Sequence, residues 1–381
     1  MNQFSISLGK IFGIPVSVHW TFWILIVWIV VMGMISGSSG EELFWNVLLV
    51  LAAFICIGLH ELGHALAARR FGISTKSITF LPIGGVAMLS RIPKNPKQEL
   101  IISIAGPLVN VLIAFVLAML LLFNGVMVFS TQTLESVTTI NANNFLLILF
   151  SINITLFLFN LVPAFPMDGG RIFRALLAMV FSRLRATNMA VKIGQAFAVL
   201  FVLLGLLYNP FLIVIAIFIL LGAQSELDFV KTSEALNQYQ ASDLMMRKFE
   251  IFKEDQVLTK AVTEILKGQD KVFVVKKEEV IKGFFFMNDI LKGLSELGQE
   301  AKLKNITRTK LRWVQENQNA ATVWELMKKE QLPVLFVGQP NHLIGIINSE
   351  NIQEFIQLQT SNNNFLIKEK NSIPNALSLN A

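Results

Sequence analysis

Cysteine is almost missing from this chain: Cys56 stands alone inside an apolar run, so no internal disulfide can staple the fold and the redox compartment stays open. Charge is scarce as well. Only 15% of the 381 residues are Asp, Glu, Lys or Arg, against 54% hydrophobic residues and 31 Phe, and the mean hydropathy is +0.59. A water-soluble globular domain does not have that balance. Basic clusters interleaved with aromatics are missing too, so the net charge of +6 and the pI near 9.3 do not read as a nucleic-acid surface. The N-terminal run is not expected to be a removable leader, because the apolar stretch after Pro15 is too long and lacks a small-residue cleavage pattern.

What is present is apolar sequence concentrated in residues 1–230, followed from about residue 231 by a stretch where Lys and Glu become frequent. Six spans are expected, at 16–35, 43–67, 100–123, 145–163, 193–208 and 211–227, each near the ~20 residues that a bilayer requires. Arg69, Arg70, Lys76, Arg91, Lys94 and Lys97 follow the second span, and Arg171, Arg174, Arg183, Arg185 and Lys192 follow the fourth. The loops at 37–42 and 124–144 contain no Lys or Arg. By the positive-inside rule, both termini face the cytoplasm. Residues 77–89 (SITFLPIGGVAML) are apolar and β-branched but too short to cross, and Pro82, Gly84 and Gly85 interrupt them, so a small sheet or re-entrant hairpin is expected.

Beyond residue 231, residues 271–290 align with 333–352, an internal repeat of about 60 residues that reads each time as helix, strand, strand, helix. Two such units must pair to bury their apolar faces. The polar, Asn- and Ser-rich residues 361–381 read as a disordered tail.

The chemistry-bearing motif is His60-Glu61-Leu62-Gly63-His64, an H-E-x-x-H sequence inside an apolar run. Its spacing sets two imidazoles on one helical face with a carboxylate beside them, the pattern of two zinc ligands and a general base. Ionisable groups cost free energy within a span and seldom persist there without pairing or function. A catalytic zinc needs a third ligand and an open position. Asp168, in the segment NLVPAFPMDGGR at the cytoplasmic end of the fourth span, is the best candidate, since its prolines and glycines open the helix. His19 at the start of the first span reads as an interfacial histidine with a backbone or water partner. Cys56, one turn before His60, reads as packing rather than as a soft ligand. Asn110 and Asn160 read as membrane amides, with Asn160 favoured for the site by its nearness to Pro163 and Asp168. An ion path lined by His, Glu and Asp is the competing reading, although the spans show no inverted repeat.

Taken together, HELGH in a membrane helix, NLVPAFPMDGG later and a C-terminal repeat module resemble the site-2 protease family over nearly the whole chain. GIPVSVHW with His19, GGVAML, and Ala105-Gly106-Pro107 with Asn110 carry the same resemblance. It implies zinc ligands at His60, His64 and Asp168, a catalytic Glu61, and an Asn160 that contacts substrate or the oxyanion. It also implies cleavage of transmembrane segments of membrane-anchored proteins, with the sheet-like segment presenting an extended substrate. The repeats resemble a pair of cystathionine-β-synthase-type (CBS) domains, which bind adenine nucleotides in their cleft. Here the usual small hydroxyl residue is Phe286 in the first copy and Asn348 in the second, and the ribose-binding acid survives as Asp289 but is Asn351 in the second. A module that only dimerises or docks partners is the alternative.

The expected architecture is therefore a polytopic α-helical membrane protein of about six transmembrane helices with a short membrane-associated β segment, followed by a cytosolic α/β tandem CBS pair. The membrane metalloprotease domain is expected over 1–230, the first CBS repeat over 241–298 and the second over 303–360. The cell membrane is the expected location, with the active site toward the cytoplasm, one zinc per chain, lipid and a transmembrane protein segment as partners, and a homodimer through the CBS pair.

Overall fold

The computed structural model describes residues 5–82, 84–90, 93–126, 139–266 and 272–359. The tail expected at 361–381 lies outside them. The chain divides into two compact units, Met1–Asp228 and a second from Phe229 onward.

The first unit opens with a hairpin, β1 (Ser5–Ile11) and β2 (Ile14–His19), followed by helix α1 (Thr21–Ile35). This corrects the first expected span. Residues 16–19 are strand because I-P-V-S-V-H alternates with period two: Ile14, Val16 and Val18 are buried while their neighbours are half-exposed. The 15 residues left in α1 cover only about 22 Å at helical rise. Helix α2 (Gly40–Arg70) starts at a capping box, in which Ser39 accepts from Glu42 N (3.2 Å) and Glu42 accepts from Ser39 N (2.8 Å). It ends on Arg69 and Arg70, which complement the helix dipole.

The segment expected as a sheet or hairpin forms β3 (Thr75–Leu81) and β4 (Gly84–Leu89), and they join the N-terminal hairpin in a four-stranded sheet of order β1-β2-β3-β4. The central pair β2/β3 is parallel, with Val16 opposite Ile78, and the outer pairs are antiparallel. That leaves β4 as an edge.

Then follow α3 (Pro96–Phe123), α4 (Phe145–Leu161), α5 (Asp168–Ala178), α6 (Arg183–Leu207) and α7 (Phe211–Leu236). Helix α4 stops at Leu161 because the residue before Pro163 is driven from helical backbone, and Val162 sits at ψ 124°. Among the described residues α2, α3, α6 and α7 are long and apolar enough to cross a membrane; α1 and α4 are apolar but shorter. The fifth expected span is longer at its start than the apolar pattern suggests, because the polar turns from Arg183 are already helical, and the sixth runs on to Leu236.

In the second unit a short helix α8 (Ala241–Leu244) precedes two copies of one pattern. The first is β5 (Ile251–Lys253), α9 (Leu258–Ile265), β6 (Val272–Lys277), β7 (Val280–Phe286) and α10 (Met287–Leu297). The second is β8 (Trp313–Val314), α11 (Ala320–Glu330), β9 (Val334–Gln339), β10 (His342–Asn348) and a helix over 349–359. Each has a parallel pair followed by an antiparallel hairpin, and the registers match: Val275 faces Gly283 as Val337 faces Gly345. Val272, Val274 and Phe284 of one sheet pack with Val334, Phe336 and Ile346 of the other, which is how two half-apolar units bury one another. The short strands β5 and β8 carry too few residues to register as periodicity.

Candidate metal centre

His60 and His64 are four residues apart on α2, so their rings share one face, and both are buried. Their Nε2 atoms are 3.1 Å apart. Asp168, the first residue of α5, brings Oδ2 to 3.1 Å from His60 Nε2 and 3.0 Å from His64 Nε2. The structure thus brings the three side chains expected as ligands into a triangle of donor atoms that could hold a metal ion.

Helix α3 closes that triangle from one side. His64 Nδ1 lies 2.7 Å from Ile102 O; a carbonyl only accepts, so Nδ1–H donates and Nε2 carries the lone pair. Gly106, one turn further along α3, permits the close approach: a Cβ there would sit 2.2 Å from His64 Nε2 and 2.7 Å from His60 Nε2. Gly63 on α2 does the same from the other helix, where a Cβ would lie 2.8 Å from Ala105 O.

The donor set does not satisfy itself, because His64, with Nδ1–H given to Ile102 O, has no proton on Nε2 for the carboxylate. An ionised carboxylate oxygen is acceptor-only. The His64 lone pair at 3.0 Å from it, with a second imidazole nitrogen at 3.1 Å, is a poor arrangement without a cation and a good one with it. Zinc bonds of about 2.0–2.1 Å in a tetrahedron hold ligand atoms about 3.3–3.4 Å apart, close to the observed edges. Two histidines and a carboxylate suit zinc and leave one of four positions for water or substrate.

Glu61 points from the same turn of α2 to the sheet. Its Oε2 accepts from Ala87 N (3.1 Å) on β4, and a Cβ on Gly85 would lie 3.0 Å from its Cγ. The general-base candidate therefore stands between the ligand triangle and the edge strand.

Other candidates fall elsewhere. Asn160, near the end of α4, donates from Nδ2 to Leu156 O (2.9 Å) on its own helix rather than to the triangle. His19 Nδ1 is 2.8 Å from Thr21 Oγ1 and accepts from Thr21 N (3.4 Å), the local partner expected of it. Cys56 is buried among Ala114, Leu149 and Phe150 and is not part of the metal cluster.

Asp289 is already engaged: Arg308 donates to it from Nε (2.9 Å) and Nη2 (2.7 Å), and its Oδ2 also accepts from Phe286 N (2.9 Å) at the start of α10. The second repeat repeats the cap, with Asn351 Oδ1 accepting from Asn348 N (3.3 Å).

One functional group escaped the sequence reading. Arg174, counted there among the loop cations, is 1% exposed and bonds to Glu99 of α3 (Nε to Oε1, 2.9 Å) and to Glu226 of α7. It ties α5, and with it Asp168, to two other helices. A signal existed in the acidic residues at the ends of two apolar spans, but nothing local paired them with Arg174.

Residues 48–201 match Peptidase family M50, and residues 303–358 match the CBS domain. A zinc metalloprotease of Methanocaldococcus jannaschii is 40% identical over 244 residues, 64% of this chain and 66% of that protein, so this chain spans just under two thirds of that relative. Bacillus subtilis YwhC is 30% identical over 153 residues, 34% of this chain and 68% of YwhC. A solved site-2 protease from Methanocaldococcus jannaschii is 38% identical, covering 59% of this chain and 95% of that one, with a TM-score of 0.42. With its H-E-x-x-H helix and distant aspartate in one cluster, the chain belongs to peptidase family M50, the site-2 protease family of zinc metalloproteases.

Proposed function

We propose that this chain is a zinc-dependent intramembrane endopeptidase that cuts transmembrane segments of membrane-anchored proteins, in a cell membrane crossed by six spans with both termini cytoplasmic. The observation that supports it most is the convergence of His60, His64 and Asp168 beside Glu61 and the β4 edge. Bound zinc, held by those three side chains, would acidify a water and polarise the scissile carbonyl. Glu61 accepts the proton of the attacking water and returns it to the leaving amide nitrogen. A substrate helix must unwind to expose a peptide bond, and its freed backbone groups need partners, which the edge of β4 supplies. Asn160 serves as an amide donor to substrate or oxyanion once its side chain leaves the Leu156 carbonyl.

In the second unit the proposed roles are regulation of the protease, pairing with a second copy, and adenine-nucleotide binding near Asp289. Binding there requires Arg308 to yield the carboxylate.

The test compares parent and Glu61→Gln for bound zinc and for cleavage within a panel of single-span substrates. The reading stands if both hold zinc and the variant loses at least ~10²-fold in rate. A parent that holds no metal overturns it.

A further inference from the structure

Helix α3 runs past the metal triangle antiparallel to α2: Ile102 meets His64, Gly106 meets both histidines, and Ala114, two turns on, packs in one cluster with Cys56; Asn110 lies between Gly106 and Ala114 on the same face of α3. Asn110 is 1% exposed, yet neither its Nδ2 nor its Oδ1 has a hydrogen-bond partner among the described residues. His60 Nδ1 and Asn153 Oδ1 on α4 are in the same condition. Asn153 Nδ2 donates to Leu149 O (2.9 Å), and Leu149 packs in one cluster with Cys56, one turn before His60 on α2. Unpaired polar atoms thus occur on three helices, α2, α3 and α4, that pack together through Cys56, Ala114 and Leu149. Buried polar groups left unpaired are costly, and interiors satisfy such clusters with an ordered water making about three hydrogen bonds.

The two histidines also differ. His64 has its tautomer set by Ile102 O, whereas no backbone carbonyl holds His60 Nδ1. A metal-ligating imidazole needs its second nitrogen held so that the first presents a lone pair.

We propose that Asn110 is a positioning residue for His60. A buried water accepts from His60 Nδ1–H and donates to Asn110 Oδ1 and Asn153 Oδ1. That accounts for three of the four unpaired atoms with one donor and two acceptors, and it fixes the tautomer that leaves His60 Nε2 free for the metal. The proposal rests on the zinc reading of the site.

The test uses the full chain in detergent or nanodiscs, with zinc affinity measured by chelator competition and thermal unfolding measured on the metal-free protein. Asn110→Leu, nearly isosteric, is expected to weaken zinc binding by about 10–100-fold while leaving the metal-free midpoint unchanged or raised, because the amide nitrogen Nδ2, which the water leaves unpaired, has been removed from the interior. A merely structural interhelical amide gives the reverse pattern, a lower metal-free midpoint with zinc affinity within twofold of the parent, and that overturns the proposal. Because the chain has four histidines, ¹⁵N-histidine labelling gives a second measurement for a variant that unfolds early: Asn110→Ser and the parent are compared for the Nδ1–H tautomer of His60. A mixed tautomer in the variant supports the role, and an unchanged one overturns it. Zinc bound by the parent with an unaltered Asn110→Leu removes this inference alone, whereas no zinc on the parent removes the reading of the site as well.

Discussion

Arg174 on α5 and Glu99 on α3, 75 positions apart, meet inside the helical unit with Nε donating to Oε1 over 2.9 Å, and Glu226 of α7 takes the far side of the guanidinium. Phe165 lies beneath it, with the guanidinium carbon 4.9 Å from the ring centroid. A buried arginine with two carboxylates is costly to break rather than strongly stabilising to own, since removing one partner strands the other charges. Here it anchors the helix whose first residue is Asp168.

Arg174→Met is accordingly expected to destabilise the protein by about 3–5 kcal/mol. Thermal unfolding in detergent checks it, and zinc content should fall with the loss of Asp168 placement. Unchanged stability would show that Glu99 and Glu226 find other partners.

Gly106→Ala places a methyl in the metal triangle, 2.2 Å from His64 Nε2. Either α3 or the rings must move, at an overpacking cost of about 1–3 kcal/mol. The expected outcome is a folded protein with sub-stoichiometric zinc, read by metal analysis alongside the unfolding midpoint.

Chelation should lower the unfolding midpoint, because a cation held by the three converging groups binds the folded chain and not the unfolded one. Free zinc at a hundredfold over its dissociation constant stabilises by about 2.7 kcal/mol. Adding zinc back after chelation should restore the midpoint, and a midpoint indifferent to zinc would remove the ligand assignment.

Arg308→Ala frees the Asp289 carboxylate. Its ion pair is half-exposed on the arginine side, with side-chain exposures of 47% and 19%, so stability should change by no more than about 1 kcal/mol. Calorimetry with AMP, ADP and ATP should show tighter binding to the variant than to the parent; equal or weaker binding would assign Arg308 a role other than competitor for Asp289.

Local pattern carried much of this molecule. The His60–His64 spacing dictates a shared face on any α-helix, because 3.6 residues per turn leaves no alternative. Apolar length marked α2, α3, α6 and α7, and a β-branched apolar stretch too short to cross, broken by Pro82, Gly84 and Gly85, marked the segment that forms β3 and β4. The repeat was visible because each copy writes its own periodicity, and the matching registers at Gly283 and Gly345 follow from it.

Other features depend on packing between distant segments, which local pattern alone does not select. Residues 16–19 read as the start of an apolar helix until β3 offers them a parallel partner. Arg174 and Asp289 read as a surface cation and a ribose-binding acid until Glu99 and Arg308 arrive from other elements. Asn160 sits in the right motif, but only the backbone geometry decides that its amide returns to Leu156. By itself the sequence determined which side chains have zinc chemistry and which helix carries two of them, since these follow from residue type and helical pitch. Tertiary structure alone decided that Asp168, 104 residues beyond His64, completes the triangle, because that contact depends on how α5 is held against α2 and α3.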